Sequence, residues 1–286
     1  MESINFKTIY TIGKKEFLDN IRNKWILVLS IILFIIVAIW AFVAPYQQPP
    51  PGVSEEVGAW QNAIFGMLGI TALLIPLIAV VLGFNTIAGE AESGSLYVVL
   101  SYPVRRIELL LGKYLGLGSV IAFSTIIGFG SGGIILIFQL GTKYVIGYIF
   151  FIGLTILLGL IFLSLTICIS ALVKKRIHAI GGGIVVFFWG MIIGIIMMGV
   201  LYGMGYDYNN MLEWPNWFWN VAYLSPADMS QTASQIAFGW NSFYAPGVGE
   251  MFLPESLQMR NLMIAHAMWF FIPLGLAYVF FKRRDI

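Results

Sequence analysis

Six stretches of the chain stay apolar for about twenty residues or more, and polar connections separate them. They run from Trp25 to Ala44, Asn62 to Phe84, Leu109 to Leu140, Tyr144 to Val173, Ala179 to Leu201 and Asn261 to Phe281. A bilayer core about 30 Å thick is crossed by roughly 20 residues of helix, and lipid offers no partner to an unpaired backbone amide. Each stretch is therefore expected to be a transmembrane helix. The third and fourth exceed the minimum, which implies tilt or a start before the membrane. Ahead of the first span, Phe6, Tyr10, Gly13, Phe17 and Ile21 fall on one helical face, while Lys7, Lys14, Lys15 and Arg22 fall elsewhere. That periodicity predicts, within residues 1–24, an amphipathic helix lying in the headgroup layer. The first span lacks a small-residue cleavage site and reads as an anchor. The fold class is an all-α polytopic membrane protein with one transmembrane domain over residues 1–286.

The connections differ in kind. The first, "PYQQPPPGVSEEVGAW", is proline-rich and is expected to be an extended, non-helical excursion. The second, residues 85–108, begins "NTIAGEAESGSLYVVLSYPVRR". Gly94 permits a tight turn, Leu96, Val99 and Leu100 form an apolar edge at helical spacing, and Pro103 breaks the helix before Arg105 and Arg106 open the next one. This predicts a short helix, a break and re-entry, with Glu90, Glu92 and the apolar edge turned away from the membrane and Lys113 near the headgroups. The fifth connection, residues 202–260, is expected to be a small external helical subdomain. Trp214, Trp217, Phe218 and Trp219 suit a membrane–water boundary better than a ligand cage. Ser225 as N-cap, Pro226 at the first helical position and Asp228 in the first turn predict a helix reaching toward Phe238.

Composition adds to this picture chiefly through charge. The 286 residues are 59% apolar and only 10% charged, with a mean hydropathy of +0.87. Lys and Arg resist translocation, so their positions set topology. All but Lys143 and Arg260 of the 16 Lys and Arg residues fall on one side: in the N-terminal segment, the second and fourth connections and the tail. Both termini are expected in the cytoplasm of a multi-pass cell-membrane protein. The net charge of +2 and the absence of a basic stripe argue against nucleic acid as a partner. Cys168 is the single cysteine, so no intrachain disulfide framework exists.

Several chemistries lack their residues. A proton or sodium relay needs a titratable or charged ligand at membrane depth, and the spans hold no acid or base near their centres. His266 lies near the outer end of the last span and His178 at a cytoplasmic boundary, where each reads as a hydrogen-bonded boundary residue. Two distant histidines and one cysteine supply no metal cluster, and no nucleophile elbow or Ser, His and Asp set occurs in the spans. Gly112 and Lys113 are followed by Tyr114, not Ser or Thr, so the phosphate-loop pattern fails, as it does at Gly13 and Lys14. Intrinsic enzyme activity is not expected, and energy for work across the membrane must come from another chain.

The second connection resembles the cytoplasmic signature of type-2 ATP-binding-cassette transporter permeases. The matching positions are Glu90, Glu92, Gly94, Ser95, Leu96, Leu100, Ser101, Pro103, Val104, Arg106, Gly112 and Lys113. Ala91 departs from the Arg that many members carry between the acids, and Ser95 from their Thr. "YLSPADMSQ", Tyr223 to Gln231, looks like a segment of the branch that includes permeases of nitrous-oxide-reductase maturation systems. The resemblance implies two copies, or this chain and a close relative, forming the path of an exporter above two separate ATP-binding subunits. Those subunits would hold ATP and Mg, and this chain no cofactor or metal. It also implies that a short coupling helix around Ala88 to Ser95 seats in the ATP-binding subunit, with Glu90, Ala91, Glu92, Ser93, Gly94 and Ser95 as the docking face. Arg105 and Arg106 would set the height of the loop against lipid headgroups or pair with those acids. A non-transporting scaffold subunit is the alternative from another class, separated by whether an ATPase co-purifies. A secondary carrier or channel fits the uncharged spans least well.

Overall fold

The computed structural model describes residues 5–49, 53–207, 214–240, 242–245, 249–252, 254 and 256–284. The first helix is α1, Phe6–Ile21, started by Asn5, whose side chain accepts from the amides of Lys7 and Thr8. Asn23 caps the next helix, α2, Lys24–Val43, in the same way. The remaining long helices are α3 (Glu55–Gly83), α6 (Arg106–Leu140), α7 (Val145–Leu172) and α12 (Met259–Arg283). With α2 they make five helices, among the described residues, long and apolar enough to cross a membrane.

The fifth apolar run is broken into two helices. The apolar run from Ala179 to Leu201 predicts a single helix, but α8, Arg176–Phe187, and α9, Trp189–Gly203, meet at a 50° bend. Phe188 leaves the helical conformation at φ −85° and ψ 3°. Two contacts hold the new direction: Trp189 Nε1 donates to Leu224 O at 2.8 Å, and Gly190 leaves room for the Ser225 hydroxyl. Tertiary contacts have therefore overridden an uninterrupted apolar pattern.

The proline-rich connection is also shorter than expected. A single 3₁₀ turn, Ala44–Tyr46, follows α2, and α3 already begins at Glu55, so Glu55 to Trp60 are helical rather than extended. Glu55 and Glu56 occupy the first turn of α3, where carboxylates complement the helix dipole. Glu56 also pairs with Lys143, between α6 and α7, at 3.1 Å, which raises the pKa of the lysine. Positions 50–52 of the connection lie outside the described residues.

Packing centres on α6 and α7. The latter runs between α3 and α12, while α6 carries α1 and α2 on its other side. Lipid is as apolar as the side chains, so close packing and internal hydrogen bonds hold such a bundle. Phe129 and Phe151 meet edge to face at 5.2 Å, both fully buried. Tyr148 donates to Phe129 O at 2.6 Å, Tyr114 to Leu160 O at 2.9 Å, and Trp40 Nε1 to Ala63 O at 3.0 Å.

Between α9 and α12, α10 (Asn216–Trp219) and a 3₁₀ turn (Asn220–Leu224) lead to α11, Pro226–Ala237. Ser225 caps α11 by accepting from Asp228 N at 3.3 Å, as its sequence predicts. Burial raises the pKa of the Asp228 carboxyl. Trp214 is buried and meets Phe218 and Trp219 at 4.9 and 5.8 Å, so these rings pack largely on one another. The expected helical subdomain also contains a two-stranded antiparallel ribbon, β1 (Ser242–Ala245) with β2 (Gly249–Phe252). Positions 208–213, 241, 246–248, 253 and 255 of this subdomain are outside the described residues.

Candidate functional site

The end of α3 opens into an elbow of two short helices, α4 (Ala88–Glu92) and α5 (Ser95–Leu100). Its first anchor comes from α7. The Ser170 hydroxyl donates to Phe84 O at 2.8 Å and accepts from the amides of Ile87 and Ala88 at 3.1 and 3.0 Å. Amides at a helix start have no intrahelical partner, and Ser170 supplies one from another span. Gly89 is buried against Asn85, whose side chain occupies the space a Cβ would take.

The corner between α4 and α5 is built for reversal. Gly94 has φ +78°, in the left-handed region where side chains are disfavoured, and nothing else crowds it. Ser93 and Ser95 bridge their hydroxyls at 3.0 Å, and both lie within hydrogen-bond reach of Glu90 O. Beyond the corner Leu96 is fully buried, and Val99 and Leu100 pack on the core. The apolar edge expected to face outward therefore faces inward. Exposure passes instead to Tyr97, Val98 and Tyr102, at 53%, 62% and 65%. A helical edge at i, i+3 and i+4 fixes which side chains share a face, and the tertiary fold decides where that face looks.

The expected docking residues divide. Glu92, Ser93 and Ser95 are exposed, Ala91 is half-buried against the core, and Gly94 forms the corner. Glu90 turns back into the protein, where its carboxylate meets Lys113 Nζ at 2.5 Å. Lys113 was expected near the headgroups, but its side chain is only 4% exposed and also meets Glu16 of α1 at 2.7 Å. Two carboxylates make burial of that ammonium tolerable. Glu92 stays at the surface and accepts from Arg176 N at 2.7 Å, so it sits on the N-terminus of α8. In this way α4 is tied to α1, α6, α7 and α8.

Arg106 serves the last span. Its guanidinium donates to Phe281 O, Lys282 O and Arg284 O at 2.7, 2.8 and 2.8 Å, satisfying carbonyls left over at the C-terminus of α12. Arg284 does the same for α7 through Ser170 O, Val173 O and Lys174 O. Arg105 precedes α6, and its amide donates to Glu108 at 3.1 Å. Glu108 also accepts from Asn5 N at 2.8 Å, which pins the start of α1. A cavity of about 380 Å³ adjoins the elbow, with Glu92 and Tyr97 on one wall and Lys174, Phe280, Arg283 and Arg284 on the other.

Ser170, Glu16 and the exposed aromatic residues escaped the sequence reading. The one available signal was Lys113, a cation inside the otherwise uncharged run from Leu109 to Leu140. No group of three or more histidine, cysteine or acidic residues close enough to hold a metal ion occurs among the described residues.

Five apolar helices, a bent pair that can serve as a sixth span and a polar elbow beyond the end of α3 define a multi-pass α-helical membrane protein with a surface-exposed elbow. Residues 10–286 match the model of the ABC-2 family transporter protein, so the chain belongs to that family and is a permease component of an ABC transporter. It is 29% identical over 287 residues to the probable ABC transporter permease protein NosY of Pseudomonas aeruginosa, spanning 97% of this chain and 99% of that one. The probable ABC transporter permease protein NosY of Stutzerimonas stutzeri is 28% identical over 288 residues, or 96% of this chain and 98% of its own.

Proposed function

We propose that this permease is the transmembrane subunit of an ATP-driven exporter, in which the α4–α5 elbow is the docking element for a separate ATP-binding subunit. Two copies, or this chain and a close relative, form the path, with two ATP-binding subunits beneath them holding ATP and Mg. The elbow and both termini lie in the cytoplasm, a reading supported by the grouping of nearly all Lys and Arg on one side of the spans.

The observation that carries this reading is the contrast within the elbow. Its inner face is fixed to four other helices, whereas Ser93, Ser95, Tyr97, Val98 and Tyr102 are exposed. A rigidly anchored element with exposed aromatic and hydroxyl groups suits a protein partner. Movement of such a partner would reach α6, α7 and α8 through contacts already made. Because Glu90 is committed to Lys113, the outward docking face is Glu92, Ser93 and Ser95 together with Tyr97 and Val98. Likeness to the two NosY proteins and the Tyr223 to Gln231 segment favour the same branch for this chain.

Affinity purification of the permease from its native membranes tests the reading. An ATPase that co-purifies at one copy per permease, and whose ATP hydrolysis changes on reconstitution with the permease in vesicles, is the expected result. A permease that purifies in a stable complex without any ATPase would identify a scaffold instead.

A further inference from the structure

The Lys113 ammonium has more acid around it than its charge requires. One carboxylate would neutralise a buried lysine; here Glu16 of α1 lies at 2.7 Å and Glu90 of α4 at 2.5 Å, from two different helices. Their side chains are 14% and 27% exposed, so the cluster is largely shielded from water. The three groups sum to one negative charge, and removal of the lysine would leave two acids facing each other.

The contact between α1 and α6 explains how Glu16 arrives there. Gly13, Gly112 and Gly116 let the two backbones touch: a Cβ on Gly116 would lie 2.5 Å from Gly13 O, and one on Gly112 3.0 Å from Ile9 O. Glu108 fixes the start of α1 through Asn5 N at 2.8 Å. The apolar face expected of α1 is thereby divided: Gly13 is buried against α6 and Phe17 packs on the core, while Phe6 and Tyr10 of the same face stay exposed, at 79% and 69%, and are free to enter a headgroup layer. The helix is thus fastened along α6 and joined to α4 through a single cation.

We propose that Lys113 is a positioning residue that clamps Glu90 of α4 to Glu16 of α1, so that the interfacial helix moves with the docking elbow as one body. The inference rests on the docking role of the elbow and extends it: the moving unit includes a helix seated in the headgroup layer. A lysine needed only for neutral burial would be satisfied by one acid on one neighbour, whereas these two acids lie 97 and 23 residues away in sequence. Strong coupling across such a shielded cluster is expected because each charge is left uncompensated when its partner goes.

Amide hydrogen exchange on the whole complex in lipid nanodiscs tests this, comparing the resting state with a state trapped by ATP and vanadate. In the unaltered protein, exchange within residues 88–100 and within residues 6–21 should change together. Lys113→Met should keep the response of the elbow and lose that of α1. The triple variant Glu16→Gln, Glu90→Gln, Lys113→Met leaves no charge stranded and should give the same separation, which guards against a simple folding defect. A response of α1 that survives in either variant overturns the clamp, as does an unaltered protein in which the elbow responds and α1 does not. If the elbow itself is silent in the unaltered complex, the docking reading falls, and the clamp with it.

Discussion

Ser170 Oγ, on α7, accepts a hydrogen bond from Ala88 N at 3.0 Å, so the first turn of the elbow is capped by a side chain 82 residues further along the chain. The same oxygen accepts from Ile87 N at 3.1 Å, and Ile87, Ala88 and Ser170 are all buried. Ser170→Ala leaves both amides without a partner. A buried unsatisfied donor costs about 1–3 kcal/mol, so the variant should lose at least about 2 kcal/mol in a denaturant titration of the permease in bicelles. Protease cleavage within residues 88–100 should rise in parallel. A change within experimental scatter would mean that the elbow holds its place without Ser170.

Val98 tests the opposite face. It is 62% exposed beside Tyr97 and should contribute apolar area to an interface while contributing little to the permease alone. Val98→Asp places a charge at the centre of the proposed contact. A loss of about 1.4 kcal/mol corresponds to tenfold weaker association, and at least that much is expected from burying an unpaired carboxylate against a partner. The measurement is the amount of cassette ATPase retained by the purified permease, with thermal stability of the permease itself unchanged. Undiminished retention would move the docking surface elsewhere.

Two glycines in one contact should respond unequally. A Cβ on Gly116 would sit 2.5 Å from Gly13 O and 2.7 Å from Glu16 Cβ, and the carbonyl is backbone that cannot rotate away. Gly116→Ala should therefore push α1 off α6, at a cost of about 1–3 kcal/mol typical of overpacking. A Cβ on Gly13 meets Gly112 O at 3.2 Å, a contact that a few tenths of an ångström relieve. Gly13→Ala should cost less than Gly116→Ala in the same titration. Equal losses would show that helix separation, and not this particular clash, limits the contact.

What could be read from the sequence follows the forces that act locally. Span length is dictated by the bilayer, so α2, α6, α7 and α12 begin and end within a few residues of the apolar runs. The N-cap at Ser225 and the corner at Gly94 were also visible, because each depends on the residue and its immediate neighbours. The bend at Phe188 was not, since Leu224 O and Ser225 lie far away in sequence. Nor was the facing of the elbow. Leu96 and Val98 are both apolar and two residues apart, and only the packing of the elbow on the core decides that the first is buried and the second exposed. Lys113 shows the same limit: its burial depends on acids from α1 and α4 that no local pattern joins to it.

His266 provides a test inside the bundle. It is fully buried, with Nδ1 at 2.7 Å from Leu262 O and Nε2 at 2.9 Å from Ser230 Oγ. A carbonyl oxygen has no proton to give, so Nδ1–H donates to Leu262 O, and in the neutral imidazole Nε2 accepts from the Ser230 hydroxyl. That pair joins α12 to α11 and makes His266 a structural residue. His266→Phe fills similar space but removes the acceptor, stranding the Ser230 hydroxyl, and should cost about 1–3 kcal/mol. Ser230→Ala alone removes the donor and leaves Nε2 stranded, with a comparable loss. The two changes together leave neither group unpaired, and replacing both partners by apolar groups is often nearly neutral. The double variant should therefore recover much of the stability lost by either one, a non-additivity readable by titrating all four proteins. Strictly additive losses would show that the hydrogen bond contributes nothing and that the site is held by packing alone.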